Sequence, residues 1–353
     1  MDRERMTPTF TVPTIDITPF LTDSDDAGRT AVAADIDTAC REVGFMQIVG
    51  HGIPDEVLAA FAAALDEFFA LPLEVKKRYR RSTSENRGYS PPRSESLSGS
   101  LGLPSANQMN DFYEAFIVGT QSADFPGLEL PASSYAANNW PEAAPGFRPA
   151  IDTYFAHAQQ LSRILLRAFS SALNLPIDYF DTLTDYSIDA LKMNNYALPE
   201  GELRLDGDMT GMGAHTDFGI LTILWADRVP GLQVLDKHGH WHDVQPAEGA
   251  LLINLGDAMA RWTNDRWMST LHRVDPPIVN GHIRRRRSAA FFFDGNHDAV
   301  IEPLPGTVAP GEQGYPPITV ADNINAKVAG LKGLSIPPTA RETARVLAAI
   351  SPE

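Results

Sequence analysis

The chain has 353 residues, 29 Lys+Arg against 45 Asp+Glu, a net charge of −16 and one cysteine. An acidic surface repels phosphates and argues against a nucleic-acid partner. No apolar run of about 18 residues offers a membrane span, nothing at the start reads as a signal peptide, and a lone Cys40 makes no intrachain disulfide, so a cytoplasmic setting is expected.

Residues 13–17 read as a short strand, 27–43 as a helix and 44–50 as a strand. Pro54 opens a helix over 55–71, with Val57, Leu58, Phe61, Leu65, Phe68 and Phe69 on one stripe. A short helix follows over 72–79. The Ser-, Gly-, Pro- and Asn-rich stretch 82–110 reads as a loop near the functional site. Residues 145–175 form one long amphipathic helix.

The pattern changes after residue 185. Short apolar runs alternate with turn residues: LKMNNYA, GILTILWA, GLQVL, WHDVQ, ALLINL, HRVD and RRRRSAAFFF. Many short strands at regular spacing predict a sandwich or barrel. A Pro/Gly loop (303–317) and a helix from about Val320 to Leu331 close the chain. The reading is a mainly β protein with flanking helices, consistent with a jelly-roll core. The expectation is one domain over 1–353: a helical and strand region to 185, a jelly-roll core over 186–300, and a C-terminal loop and helix over 301–353.

His215-Thr216-Asp217 carries the sharpest chemical signal. In an extended segment residues i and i+2 share a face, so one imidazole and one carboxylate can reach a common point. His272, in STLHRVD, can supply a third donor. Two histidines and one carboxylate are the facial triad of non-haem Fe(II) oxygenases. An isolated H-x-D is more often a turn capped by its Asp. A rival set, His238, His240 and His242, sits on a sequence with hairpin-turn composition and reads as turn and strand histidines. His51, just before a helix start, reads as structural.

Arg286 and Ser288 share one face of a strand. A guanidinium fork beside a hydroxyl is a good anchor for a carboxylate. Arg284 has the same parity; Arg286 is chosen because Ser288 leads into the apolar strand AAFFF. Taken alone, an Arg-rich strand edge is the commoner meaning.

VPTIDITPF, GFMQIVGHGIP, FFALPLEVKKRY, NRGY, NNWP, INLGDAMARWTNDRWMSTLHRV and FFFDGNHDAVIEPLP occur in this order. With H-x-D and R-x-S they resemble the isopenicillin N synthase-like group of Fe(II)- and 2-oxoglutarate-dependent oxygenases over nearly the whole chain. The resemblance implies a double-stranded β-helix (jelly-roll) core. It implies Fe(II) on His215, Asp217 and His272, and 2-oxoglutarate on Arg286, Ser288, Tyr196 and Asn194. It implies O₂ as oxidant, with succinate and CO₂ released as a small-molecule metabolite is hydroxylated, desaturated or cyclised. Two departures stand out: Asn194-Asn195-Tyr196-Ala197 replaces the more usual Asn-Tyr-Tyr-Pro, and the stretch between His272 and Arg286 is longer than in many relatives.

Three other readings share these residues: an oxidase that needs no cosubstrate, like isopenicillin N synthase itself, a non-catalytic binding protein on the same fold, and a zinc hydrolase. Asn194 with Tyr196 favours the 2-oxoglutarate reading. Specificity is expected in 82–110, 111–116, the hairpin 275–284 and the last helix, with Arg87, Tyr89, Phe112 and Phe292 as candidate substrate residues. A natural-product intermediate or amino-acid derivative is the expected substrate. The sequence carries no signal for an oligomeric state.

Overall fold

The computed structural model describes residues 10–22, 26–80, 86–94, 111–197, 211–279 and 282–331. The first half contains β1 (Thr14–Asp16), α1 (Thr18–Leu21), α2 (Asp26–Glu42), β2 (Phe45–Val49), α3 (Asp55–Phe69), α4 (Leu73–Lys76), β3 (Gly88–Ser90), β4 (Glu114–Gly119) and α5 (Phe147–Ala172). The second half begins with β5 (Ala190–Tyr196), β6 (Met212–His215), β7 (Leu221–Ala226), β8 (Leu232–Leu235), β9 (Trp241–Asp243), β10 (Leu251–Leu255) and α6 (Asp257–Trp262). It ends with β11 (His272–Val274), β12 (Ile278–Val279), β13 (His282–Ile283), β14 (Arg286–Phe293), β15 (Val300–Ile301), β16 (Ile318–Thr319) and α7 (Val320–Leu331).

Two sheets form the core. The larger has eight strands in the order β1-β2-β10-β7-β14-β5-β4-β3, and the smaller has four, β6-β11-β8-β9. The two halves of the chain share the large sheet: β10, β7, β14 and β5 make its middle, and β1–β4 make both edges. This is a jelly roll braced by helices.

The helices form where the periodicity places them. α3 begins after Pro54, with Asp55 and Glu56 in the first turn favoured by the helix dipole. It buries Phe61, Ala64, Leu65, Phe68 and Phe69. α5 buries Ile151, Tyr154, Ala158, Leu161 and Leu165 at three- and four-residue steps. Phe61 stacks on Tyr154 at 4.0 Å, locking the two helices together. Both join Leu191, Met193, Ile223, Ala289, Phe291 and Phe293 of the large sheet in the main apolar core. A second, smaller core of Phe45, Phe112, Tyr113, Ala115, Tyr196, Met212, Leu232, Val234 and Leu252 lies on the other side, between the sheets.

The expected strands and helices occur within a few residues of their predicted ends; α1, β3, β4, β6, α6, β15 and β16 are additional to them. β4 is buried at all six positions, so it shows no alternation to read. Its Glu114 is accommodated by Lys76 Nζ at 2.8 Å, the Tyr89 hydroxyl and Asn195 Nδ2. β3 falls inside the expected loop 82–110. The remainder of that loop lies largely outside the described residues, as does part of the hairpin 275–284.

Candidate metal centre

β6 and β11 are antiparallel neighbours in the small sheet, with His215 directly opposite His272. Their ring centroids are 4.3 Å apart. Asp217, two residues past the end of β6, returns to the same side: its Oδ1 is 3.8 Å from His215 Nε2 and 3.8 Å from His272 Nε2. Among the described residues this is the one group of three or more such side chains close enough to hold an ion.

The donors are oriented by neighbours. His215 Nδ1 donates to the Gly213 carbonyl at 2.8 Å and His272 Nδ1 to the Thr270 carbonyl at 3.1 Å. Each bond fixes the tautomer that leaves Nε2 with its lone pair facing the centre. Asp217 Oδ2 accepts from Thr222 Oγ1 at 2.6 Å and from Asn254 Nδ2 at 2.7 Å, which leaves Oδ1 for the ion.

Burial, helped by the neighbouring His272, pushes the His215 pKa well down, which favours the neutral ring that can ligate. Burial raises the Asp217 pKa, but the two imidazoles and the bonds from Asn254 and Thr222 outweigh it and hold the group ionised. The loop that turns Asp217 inward packs tightly. A Cβ on Gly219 would come 1.7 Å from Asp294 Oδ1, and one on Gly256 would come 2.2 Å from the Gly219 carbonyl oxygen.

The expected carboxylate anchor lies on the paired strands β14 and β5 of the large sheet. Register places Arg286 opposite Tyr196 and Ser288 opposite Asn194. The Arg286 guanidinium carbon is 5.2 Å from the Tyr196 ring centroid. Arg286 is 2% exposed, yet its Nε and Nη1 have no hydrogen-bond partner among the described residues; neither does Asn194 Oδ1. Burial raises the Tyr196 hydroxyl to about 12, against Arg286 and Ser288, so it stays a donor. A buried cation with idle donors is costly. The site therefore fits a ligand with a carboxylate at one end, and the triad fits a ferrous ion.

The parity question over the arginine run resolves by partners. Arg285 bonds Asn195 and Asp66, and Arg287 bonds Asp66, Asp227 and the Ala62 carbonyl, so both face α3. Arg284 is exposed. Arg286 alone of the four is buried.

The candidate substrate residues divide. Phe112 packs in the inner core, its ring 6.1 Å from Tyr196. Phe292 is half-buried on the inner face, opposite Thr222. Tyr89 is a correction: it lies in the helix-side core against Phe68 and bonds Glu114, on the sheet face away from Asn194 and Ser288. Its β3 register with Phe116 sets that parity. Arg87 is buried, and its guanidinium donates to the main-chain carbonyls of Asn86 and Thr120.

His51 has the structural role expected, accepting from Ile53 N and meeting the Gly249 carbonyl. His238 and His240 bond Asp236 through their backbone N–H groups and His242 through its ring, in a hairpin turn. Thr222 and Asn254 were not singled out; Asn254 stands in the quoted INLGD run. Lys192, also missed, shares the inner face with Asn194 and donates to the Tyr113 hydroxyl at 2.9 Å.

A jelly roll with two imidazoles and one carboxylate converging, and a buried guanidinium with unpartnered donors between its sheets, fits a mononuclear non-haem oxygenase centre. Residues 12–143 match the family described as non-haem dioxygenase in morphine synthesis N-terminal, and residues 188–295 match the 2OG-Fe(II) oxygenase superfamily. The chain is 37% identical over 321 residues to the 2-oxoglutarate-Fe(II) type oxidoreductase hxnY of Emericella nidulans, covering 88% of each. It is 31% identical to the validamycin A dioxygenase of Streptomyces hygroscopicus, covering 90% of this chain and 86% of that one. The structure of Neurospora crassa T7H with alpha-KG and thymine superposes with a TM-score of 0.77 at 27% identity, covering 92% and 97%. The chain belongs to the 2OG-Fe(II) oxygenase superfamily, and it uses iron(II) and 2-oxoglutarate to oxidise a small molecule.

Proposed function

We propose that His215, Asp217 and His272 hold the ferrous ion, and that Arg286 and Ser288, with Tyr196 and Asn194 beside them, hold 2-oxoglutarate. The observation that carries this is Arg286, buried on the inner face of the sheet with its Nε and Nη1 unpartnered among the described residues. When bound, iron and 2-oxoglutarate supply the oxidant that breaks a substrate C–H bond, with succinate and CO₂ released.

The chain's own residues bind, orient and shield. Arg286 and Ser288 take the distal carboxylate through charge-assisted hydrogen bonds. Thr222 and Asn254 hold Asp217 so that one oxygen faces the ion. Phe45, Leu252 and Leu232 line the dry space between the sheets and exclude bulk water. The substrate then lies toward Lys192, Ala290 and Phe292, the inner-face residues beyond Ser288 and Asn194.

A small metabolite of mixed polarity suits that wall, with an ammonium and a phenol beside a phenyl ring. The relatives' names support this class: one oxidises validamycin A, and another was crystallised with thymine. A place in secondary metabolism follows as the proposed setting.

The test is a metabolite panel scored by succinate release, with neighbouring genes guiding its choice. Turnover is expected to need Fe(II), O₂ and 2-oxoglutarate together. Oxygen uptake undiminished without 2-oxoglutarate would reject the role given to Arg286.

A further inference from the structure

The C-terminal helix α7 is remote from the triad in sequence, yet two of its side chains end on the loop that carries it. Asn323 and Lys327 are four residues apart, share one face of α7 and are both buried. Asn323 Nδ2 donates to the Phe218 carbonyl at 3.0 Å, one residue past Asp217. Lys327 Nζ lies 2.8 Å from Asp257 Oδ2, and the Asp257 side chain is 0% exposed.

That same Asp257 oxygen accepts from Thr216 Oγ1 at 3.1 Å. The Asp257 backbone N–H donates to the Asp217 carbonyl at 2.8 Å. Thr216 stands between the two ligands of the H-x-D pair, and its bond to Asp257 turns its side chain to the back of the loop.

We infer that Lys327 and Asn323 are positioning residues of the metal centre. α7 clamps residues 216–218 from behind, and through Thr216 and the Phe218 carbonyl it holds His215 and Asp217 at the spacing the ion needs. This rests on the ligand assignment made above. Segment 216–220 is the irregular link between β6 and β7, so it has no ladder of its own to stiffen it. A buried Asp257 without a cation would be poorly tolerated beside a second buried carboxylate, Asp217. Lys327 pairs with the same Asp257 oxygen that accepts from Thr216, so the three side chains form one chain of bonds.

The experiment is anaerobic titration of the full-length, metal-free protein with Co(II), whose visible bands report affinity and coordination. The Lys327→Met protein is expected to bind Co(II) about tenfold more weakly, the size typical of losing an outer partner of a metal ligand. Lys327→Arg should restore binding. Thr216→Val should weaken it similarly, and the Lys327→Met/Thr216→Val pair should be no worse than the poorer single, because one chain of bonds carries both. Asn323→Leu should give a smaller loss by its separate route.

Thr216→Val and Asn323→Leu leave no buried charge unpaired, so they decide the matter if Lys327→Met does not fold. Variants that melt earlier but keep wild-type Co(II) affinity and spectrum would overturn the inference and leave α7 a purely structural brace. Additive losses at Lys327 and Thr216 would overturn the route between them. A failed ligand assignment looks different: His215→Ala would then bind Co(II) as tightly as the unaltered chain.

Discussion

Along β14, Arg286, Ser288, Ala290 and Phe292 turn toward the triad, whereas Ala289, Phe291 and Phe293 turn toward the helices. β5 divides the same way, with Lys192, Asn194 and Tyr196 inside and Leu191 and Met193 outside. The outer face is closed with apolar contacts such as Phe291 on Phe155 of α5, 5.0 Å between rings. The inner face keeps buried polar atoms idle at Arg286 and Asn194. One sheet thus carries stability on one side and unmet binding capacity on the other. Idle buried donors are destabilising in themselves, so the apolar face must supply the surplus that tolerates them.

The sharpest way to break this contrast is at the triad. His215→Ala or Asp217→Ala should abolish turnover and weaken Fe(II) binding beyond the ~100-fold that losing an outer partner costs. Iron analysis with a succinate assay checks it, and persistence of both activities would remove the centre from this cavity. On the other face, Phe291→Ala should cost about 3–5 kcal/mol of stability through the cavity it leaves. Denaturant unfolding reads that loss, and the folded fraction should keep its KM for 2-oxoglutarate.

Arg286→Ala should act in the opposite sense. A charged hydrogen-bond pair is worth about 1.5–3 kcal/mol, so KM for 2-oxoglutarate should rise about 10- to 100-fold while the fold holds or gains stability. Initial rates across 2-oxoglutarate concentrations, beside a melting curve, would show whether the two readouts part. Arg286→Lys should not rescue fully, because an ammonium lacks the planar fork.

The most gradual expected effect is a pH slope at the end of the sheet. Asp189, fully buried before β5, is raised to about 7 by burial despite bonds from Ser187 and Gln159. A carboxyl raised in the folded state adds stability that is complete below its unfolded pKa, about 4, and is lost as pH rises through about 7. Stability should therefore fall by about 1 kcal/mol per pH unit across that window from this group alone. Asp189→Asn should flatten the slope in urea titrations at pH 5, 6 and 7; an unchanged slope would place the titration elsewhere.

Much of this architecture is legible in the residues. The α3 and α5 stripes repeat at helical spacing because each helix buries one side only. The H-x-D pair reads as a ligand pair because strand parity puts both side chains on one side. β3 and β4 escape notice for the converse reason: a strand buried on both faces has no alternation, and Glu114 reads as polar until Lys76 and Tyr89 are seen to meet it. Tyr89 was misjudged for a related reason. Its parity is set by pairing with β4, and the sequence does not state which strand it joins.

The sequence by itself determined the family, the donor types and their parity, because these follow from residue chemistry and from short-range periodicity. Only the tertiary structure decided which of four adjacent arginines is buried, that Thr222 and Asn254 aim Asp217, and that Lys327 reaches Asp257 from the far end of the chain. Each of these is a contact between elements distant in sequence, and such contacts are fixed by how strands and helices pack rather than by any local run of residues.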